Sequence, residues 1–270
     1  MARMLRLAVL HMVAINKDKA HGGLARAGPD PASPAWKHHP ATLRMIRAAV
    51  PLLLAVAVAL CGVGLAIGFG LAPADIGRGT LFRIVYIHVP ATWVALLLYS
   101  LLVFWSCVRL LTGMRLASMM VEALAPTGAL FALLALWTGS LWSKGALDVW
   151  WDWDARRLAD LTLLTFFVAC TLMRQALEDS PRADKVAAIL ALLGAALLLF
   201  VLYSVELIPR VPSHPPERSA TMAGRLIAAL AVVTAGFMAY AGAAVLKRLR
   251  CVLLERERAS AWIEQWSTGR

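Results

Sequence analysis

Apolar residues run through this chain in six long stretches, separated by short segments that are polar or carry glycine and proline. An α-helix needs about 20 apolar residues to cross the hydrocarbon core of a bilayer, and each stretch reaches that length. The pattern therefore predicts an all-α fold, an integral membrane bundle of six transmembrane helices joined by short loops. The predicted spans are 46–72, 91–111, 123–142, 158–177, 186–206 and 223–246.

Three regions follow from this pattern. Residues 1–44 form an N-terminal tail, which we expect to be disordered or an over-extended start. Prolines and glycines crowd residues 22–40, and the short apolar stretch before them lacks the usual cleavage site of a signal peptide. Residues 45–246 form the membrane domain, with an outward-facing tryptophan-rich loop at 143–157. Residues 247–270 form a C-terminal tail.

The charge pattern sets the expected orientation. Hydrophobic residues make up 60% of the chain, charged residues 16%, and the formal net charge is +11. This composition excludes an ordinary water-soluble domain. Lys and Arg lie mainly in the two tails and in the loops that share their side of the membrane, so the excess charge is a topology signal and no nucleic-acid partner is expected. Both termini are therefore predicted to be cytoplasmic.

The loop between the third and fourth spans has an unusual composition. Its stretch GALDVWWDWDARRLAD places Trp150, Trp151 and Trp153 among three aspartates, and two arginines follow. So many charges do not belong in hydrocarbon, which places the stretch at a membrane surface. Tryptophan also serves as an interfacial anchor, and that interpretation stays open. Three tryptophans in one loop favour a flat, apolar platform for a ligand.

Span parity brings two histidines to the side of the tryptophan loop. The loops after the first, third and fifth spans share one face, and the first and last of them carry His88 and His214. An interfacial histidine is often only a hydrogen-bonding residue, and that alternative stays open. The combination with an aromatic surface and with Arg156 and Arg157 favours haem, because imidazoles are axial iron ligands and cations bind the propionates.

The residues around the loop also carry a family resemblance. WWDWDAR resembles the tryptophan-rich (WWD) signature of haem-handling proteins of cytochrome c biogenesis. RIVYIHVPATW and ALAPTGALFALLALWTGSLWSK narrow the resemblance to the cytochrome c maturation protein C, or haem exporter protein C, family. The similarity covers residues 44–246 and excludes the first 40.

The resemblance implies a haem transport subunit of the bacterial inner membrane, with its functional loops facing the periplasm. Such a protein binds haem b transiently at the outer face and delivers it to a membrane-anchored periplasmic haem chaperone. It works in the lipid bilayer beside ATP-binding-cassette transporter subunits and a small single-span subunit. His88 matches the family's first outer histidine, and the signature matches Trp150, Trp151, Trp153, Asp154, Ala155 and Arg156.

The chain departs from the family pattern in two places. Leu147, Asp148 and Val149 replace the usual Trp-Gly-Thr before the tryptophan pair. After the fifth span the chain reads SVELIPRVPSHPP. This segment lacks the two tryptophans of the family pattern, and His214 comes two residues later than the family's histidine. His88 and His214 are therefore the candidate axial ligands of the haem iron, and the second assignment stays open.

Two other function classes remain, a secondary transporter and a structural membrane subunit. A secondary transporter places its polar groups near the midplane of the membrane, whereas the distinctive residues here lie at one surface. A structural membrane subunit would carry no haem site. No base–nucleophile pair or nucleotide motif indicates an enzyme. For Asp154 two roles stay open, a structural one, as a contact with Arg156 or a cap on the next helix, and a functional one in cofactor binding.

Overall fold

The computed structural model describes residues 40–71, 83–177, 180–207 and 220–268. The expectations for residues 1–39 and for His214 lie outside these ranges. The described part is helical throughout apart from short connections, and it contains no strand. The six helices are α1 (Pro40–Ala66), α2 (Val85–Thr112), α3 (Arg115–Leu147), α4 (Ala155–Ala176), α5 (Ser180–Leu207) and α6 (Ala220–Thr268), and a π-helical turn, Ile67–Leu71, extends α1.

All six helices are long and apolar enough to cross a membrane, which confirms the predicted bundle. Several of them run past the predicted limits. α2 begins at Val85, so His88 lies inside the helix rather than in the loop before it. The early start is stabilised by packing, since Tyr86 is 1% exposed and lies in a small cluster with the end of α1. α6 continues through the predicted tail to Thr268.

Successive helices reverse direction, so the bundle has two ends. The end with the tryptophan-rich loop also holds the start of α2, the end of α5 and the start of α6, and we call it the loop end. α2, α3 and α4 form the centre of the bundle, and α5 and α6 pack against them. The main core cluster draws its buried side chains from these five helices, whereas α1 packs chiefly against α6.

α3 and α4 approach each other closely where Gly128 faces Phe167. A Cβ atom on Gly128 would lie 2.1 Å from the ring of Phe167, which is fully buried. Only glycine lets the aromatic ring sit directly on the α3 backbone. The ring also meets Tyr99 of α2 edge to face, with 5.1 Å between centroids.

Four charged side chains from four helices pair at the end of the bundle opposite the loop end. Arg174 and Arg256 each contact both Glu122 and Asp184. Arg256 Nη2 lies 2.6 Å from Glu122 Oε2 and 3.0 Å from Asp184 Oδ1. The cluster is electrically balanced, which lowers the cost of placing charges where Asp184 is only 6% exposed. We call it the four-charge cluster.

Candidate ligand site at the loop end

The tryptophan-rich loop begins where α3 ends in a left-handed residue. Asp148 has φ 58° and caps α3 after Leu147. Lys144 stabilises this turn, because its Nζ lies 2.6 Å from Asp148 Oδ1 and 3.2 Å from the Asp148 carbonyl oxygen. The same ammonium lies 6.0 Å from the ring centre of Trp150, within reach of a cation–π interaction.

The three tryptophans differ in exposure. Trp150 and Trp153 are 59% and 73% exposed, whereas Trp151 is half-buried. Trp151 and Trp153 meet edge to face, with 5.5 Å between centroids and 78° between planes. The pair therefore does not form one continuous flat surface, as the expected platform would. The exposed rings instead present separate apolar faces.

Arg157, in the first turn of α4, connects the loop to α3. Its guanidinium lies 5.9 Å from the ring centre of Trp151, and its Nη2 donates a hydrogen bond to Ser143 Oγ. Two neighbouring donors stay unused among the described residues, namely Arg157 Nη1 and Trp151 Nε1, both buried. Unsatisfied buried N–H groups are costly, so the pair is suited to an acceptor such as a carboxylate.

Arg156 and Asp154 face outward beside this contact. Both side chains are exposed. Asp154 occupies the N-cap position of α4, and its carbonyl oxygen accepts from the Leu158 N–H at 3.0 Å. Its carboxylate makes no capping hydrogen bond, and no ion pair joins it to Arg156 among the described contacts. The structure therefore gives neither of the two contacts expected for this side chain.

His88 is held in one tautomer by α3. Its Nδ1 lies 3.0 Å from the Ala135 carbonyl oxygen and 3.1 Å from Thr138 Oγ1. A carbonyl can only accept, so Nδ1 must carry the proton. The Thr138 hydroxyl donates to Leu134 at 2.7 Å, which leaves its oxygen free to accept as well. Nε2 then keeps its lone pair, the form of imidazole that binds a metal.

Space for the imidazole comes from a glycine on α3. A Cβ atom on Gly139 would lie 3.3 Å from His88 Cε1, closer than a relaxed contact. Gly139 lies in the last third of α3, the helix that leads into the tryptophan-rich loop. The structure thus brings His88 and the tryptophan-rich loop to the same end of the bundle.

Several residues of the site carry no recognisable sequence signal. Ala135 and Thr138 contact His88 across 47 and 50 residues, and Ser143 meets Arg157 across 14. Asp160, one turn after Arg157 on α4, is only 6% exposed. Within the described ranges no group of three or more His, Cys, Asp or Glu is arranged to hold a bare metal ion.

Comparison with known proteins matches most of the chain. Residues 34–264 match the family model described as "Heme exporter protein C". The chain is 32% identical over 216 residues to the Heme exporter protein C of Escherichia coli K12, covering 80% of this chain and 88% of that protein. The Haemophilus influenzae protein of that name is 30% identical over 217 residues, covering 79% and 88%. The Bradyrhizobium diazoefficiens protein is 36% identical over 157 residues, covering 58% and 59%.

Proposed function

Because the chain belongs to the heme exporter protein C family, the haem-handling membrane subunits of cytochrome c biogenesis, we propose that it holds haem at the loop end of its bundle. From there it delivers the haem to a membrane-anchored haem chaperone. The chain is a multi-pass membrane protein. In this proposal it lies in a bacterial inner membrane with the loop end facing the periplasm, as the charge pattern of its loops predicts.

The observation that carries the proposal is the tautomer of His88. A carbonyl acceptor at 3.0 Å fixes the proton on Nδ1 and leaves the Nε2 lone pair available for a metal. A hydrogen bond from the far nitrogen is the usual support of a metal-bound histidine, because it orients the ring and raises its basicity. His88 is therefore the first axial ligand in our proposal, and His214 is the candidate for the second.

The tryptophan-rich loop would bind the macrocycle and its acidic side chains. Trp150 and Trp153 expose apolar ring faces to which a porphyrin can bind through π contacts. The two unused donors, Arg157 Nη1 and Trp151 Nε1, would pair with the propionate oxygens of haem after a side-chain movement that exposes them. Arg156 adds a second, more exposed cation. Haem b is the form that such non-covalent contacts can hold and release.

Delivery to a chaperone fits the exposure of the site. The rings of Trp150 and Trp153 lie on the surface, so a bound porphyrin would keep one side open to a partner. Neither a nucleotide motif nor a soluble ATP-binding domain is recognisable in the sequence. We therefore propose that transporter subunits of the ATP-binding-cassette type, and a small single-span subunit, supply any energy-dependent step.

Replacement of His88 tests the proposal. The full chain is co-produced with its chaperone partner, purified in detergent and examined by absorption spectroscopy. His88→Gly should lose the bound haem or convert it from a six-coordinate to a five-coordinate spectrum, and added imidazole should restore part of it by occupying the vacant position. His39→Ala, in the N-terminal tail, is the control and should match the parent. A parent-like spectrum for His88→Gly would exclude His88 as a ligand.

A triple replacement distinguishes haem binding by the tryptophans from a role as membrane anchors. Trp150, Trp151 and Trp153 are changed together to Ala, which leaves all six spans intact. The protein should still insert, but it should retain less haem because the apolar surface for the porphyrin is gone. Unchanged haem at equal protein level would assign the three rings to interfacial anchoring instead.

A further inference from the structure

A lateral groove opens between α3, α4 and α6 on the half of the bundle away from the loop end. Its walls are largely apolar and include Leu130, Leu133, Leu164 and Val168, and the groove has a volume of about 370 Å³. Leu130 and Leu133 are exposed, so the groove is open toward the surface that the bundle presents to lipid. None of the residues assigned to the haem site contributes to it.

The depth of the groove follows from helix geometry. From Pro126, at one end of the groove, to Leu147, at the end of α3, the helix rises about 32 Å at 1.5 Å per residue, close to the thickness of a hydrocarbon core. With Leu147 at one membrane surface, Pro126 and Arg248, which also lines the groove, lie at the level of the lipid headgroups of the other surface. From Arg248 to Tyr240 the groove extends about 12 Å along α6 into the hydrocarbon.

A buried hydroxyl inside the groove lacks a partner. Thr127 is 3% exposed and lines the groove, and its Oγ1 makes no hydrogen bond to any residue in the described part of the chain. A hydroxyl in a helix normally bonds to the carbonyl four residues earlier or to water. At headgroup level the matching acceptor is the ester carbonyl of a phospholipid, which Thr127 Oγ1 would meet by turning toward the groove.

A second cavity continues from the groove toward the aqueous side. It has a volume of about 200 Å³, shares Pro126 and Arg248 with the groove, and is also lined by Glu255. Glu122 and Arg174 of its lining pair with each other at 2.8 Å. Arg248 and Glu255, seven residues apart on α6, make no hydrogen bond or ion pair with the residues that the structure describes. The cavity thus presents one unpaired cation and one unpaired anion.

We propose that the groove and the cavity form one binding site for a phospholipid with a phosphoethanolamine headgroup. An acyl chain lies in the groove, Arg248 binds the phosphate, Glu255 binds the primary ammonium, and Thr127 donates to an ester carbonyl. Guanidinium binds phosphate through paired charge-assisted hydrogen bonds, and basic pockets between transmembrane helices commonly hold phospholipid headgroups. An anionic headgroup would leave Glu255 facing negative charge, and a choline headgroup offers it no N–H donor.

Lipid retention by the full-length protein tests the headgroup assignment. The purified protein is stripped of lipid in detergent, mixed with dioleoyl phosphatidylethanolamine, phosphatidylcholine or phosphatidylglycerol, and examined by native mass spectrometry. The parent should bind phosphatidylethanolamine about tenfold more tightly than phosphatidylcholine, the difference that one charge-assisted hydrogen bond provides. Glu255→Gln should remove this preference, and Arg248→Gln should weaken binding of all three lipids. Lys247→Gln, exposed and outside both cavities, is the control.

A pair of alanine replacements tests the groove. Ala244→Phe fills the groove and should abolish saturable lipid binding, whereas Ala228→Phe, on an exposed part of the same helix, should leave it unchanged. Parent-like retention by Arg248→Gln, or tighter binding of phosphatidylglycerol than of phosphatidylethanolamine, would overturn the proposal. Displacement of the lipid by haemin, lost in Arg248→Gln, would also overturn it by making a porphyrin the occupant. If Ala244→Phe does not fold, the Glu255→Gln result decides.

Discussion

The guanidinium of Arg157 lies 5.9 Å from the ring centre of Trp151 and at the same time donates to Ser143 on α3. One side chain in the first turn of α4 therefore connects the tryptophan-rich loop to the end of the preceding helix. Arg156, its neighbour in the signature, points outward and is exposed. The two adjacent arginines have different structural roles despite their equal charge.

This difference predicts unequal effects of removing each charge. Arg157→Gln should weaken haem binding by about tenfold, because it removes a charge-assisted donor and frees the Trp151 ring. Arg156→Gln should change it by less than about threefold, since an exposed cation contributes little. Haemin titration of the purified variants measures both. Equal losses would show that net positive charge, rather than the Arg157 contacts, governs binding.

The contact between His88 and Thr138 predicts a hydroxyl-dependent site. Thr138→Val keeps the shape of the side chain but removes an acceptor 3.1 Å from Nδ1. Haem affinity should fall by about tenfold, the usual scale for loss of a residue that orients a metal-bound histidine. Thr138→Ser keeps the hydroxyl and should retain most of the affinity. If the serine and valine variants bind equally, the hydroxyl does not position the imidazole.

The close contact of Gly128 with Phe167 predicts a packing defect. In Gly128→Ala the new Cβ would lie 2.1 Å from the ring, so the unfolding free energy should fall by about 1–3 kcal/mol. Gly62→Ala is the matched control on α1, because nothing lies within 4 Å of its Cβ position. Thermal unfolding in detergent measures both variants. Adding Phe167→Leu should recover part of the loss, and failure to do so would place the strain elsewhere.

The four-charge cluster predicts a larger effect on stability. Arg256→Gln leaves Asp184, which is 6% exposed, with Arg174 as its remaining cation in the cluster. The free energy of unfolding should fall by about 3 kcal/mol, as expected when one member of a buried ionic network is removed. Lys185→Gln, exposed and one residue from Asp184, should have little effect. Equal stability of the two variants would mean that the cluster contributes no net free energy.

The orientation of the bundle predicts which side each loop occupies. In a background without the four native cysteines, cysteine is introduced at Asp148 and Val149 at the loop end and at Arg115 and Lys185 at the opposite end. A membrane-impermeant thiol reagent applied to intact spheroplasts should label only the first pair. All four positions are exposed or half-buried, so access does not bias the comparison. Labelling of a cysteine at the position of Arg115 from outside would show that the bundle has the opposite orientation.

The sequence predicts the spans well because the hydrocarbon core imposes a fixed length of apolar helix. It predicts their ends less well, because tertiary contacts move them. Tyr86, buried against the end of α1, draws the start of α2 back to Val85. Asp148 ends α3 by a left-handed backbone conformation, which the composition of the loop does not reveal.

For the candidate site, too, the sequence predicts some residues and not others. His88 and the tryptophans stand out because imidazole and indole are unusual side chains in an unusual pattern. Ala135 contributes a backbone carbonyl, for which any residue type would serve, so its role depends on the packing of α2 against α3. Arg157 and Arg156 are indistinguishable by composition, and only the turn of α4 decides which one points toward Ser143.

The packing of α1 chiefly against α6 has a consequence for assembly in the membrane. Residues 61 and 64 of α1 contact residues 236 and 233 of α6, so the first span to leave the ribosome meets its main partner only after the last has been made. Until then α1 has, among the described residues, only the contact of its end with Tyr86 of α2, and most of its surface faces lipid. It is the most apolar of the six helices, so exposing its surface to lipid during this interval costs little free energy. Packing of α6 against α1 therefore completes the bundle, and proteins shortened before α6 should leave α1 accessible to quality-control proteases.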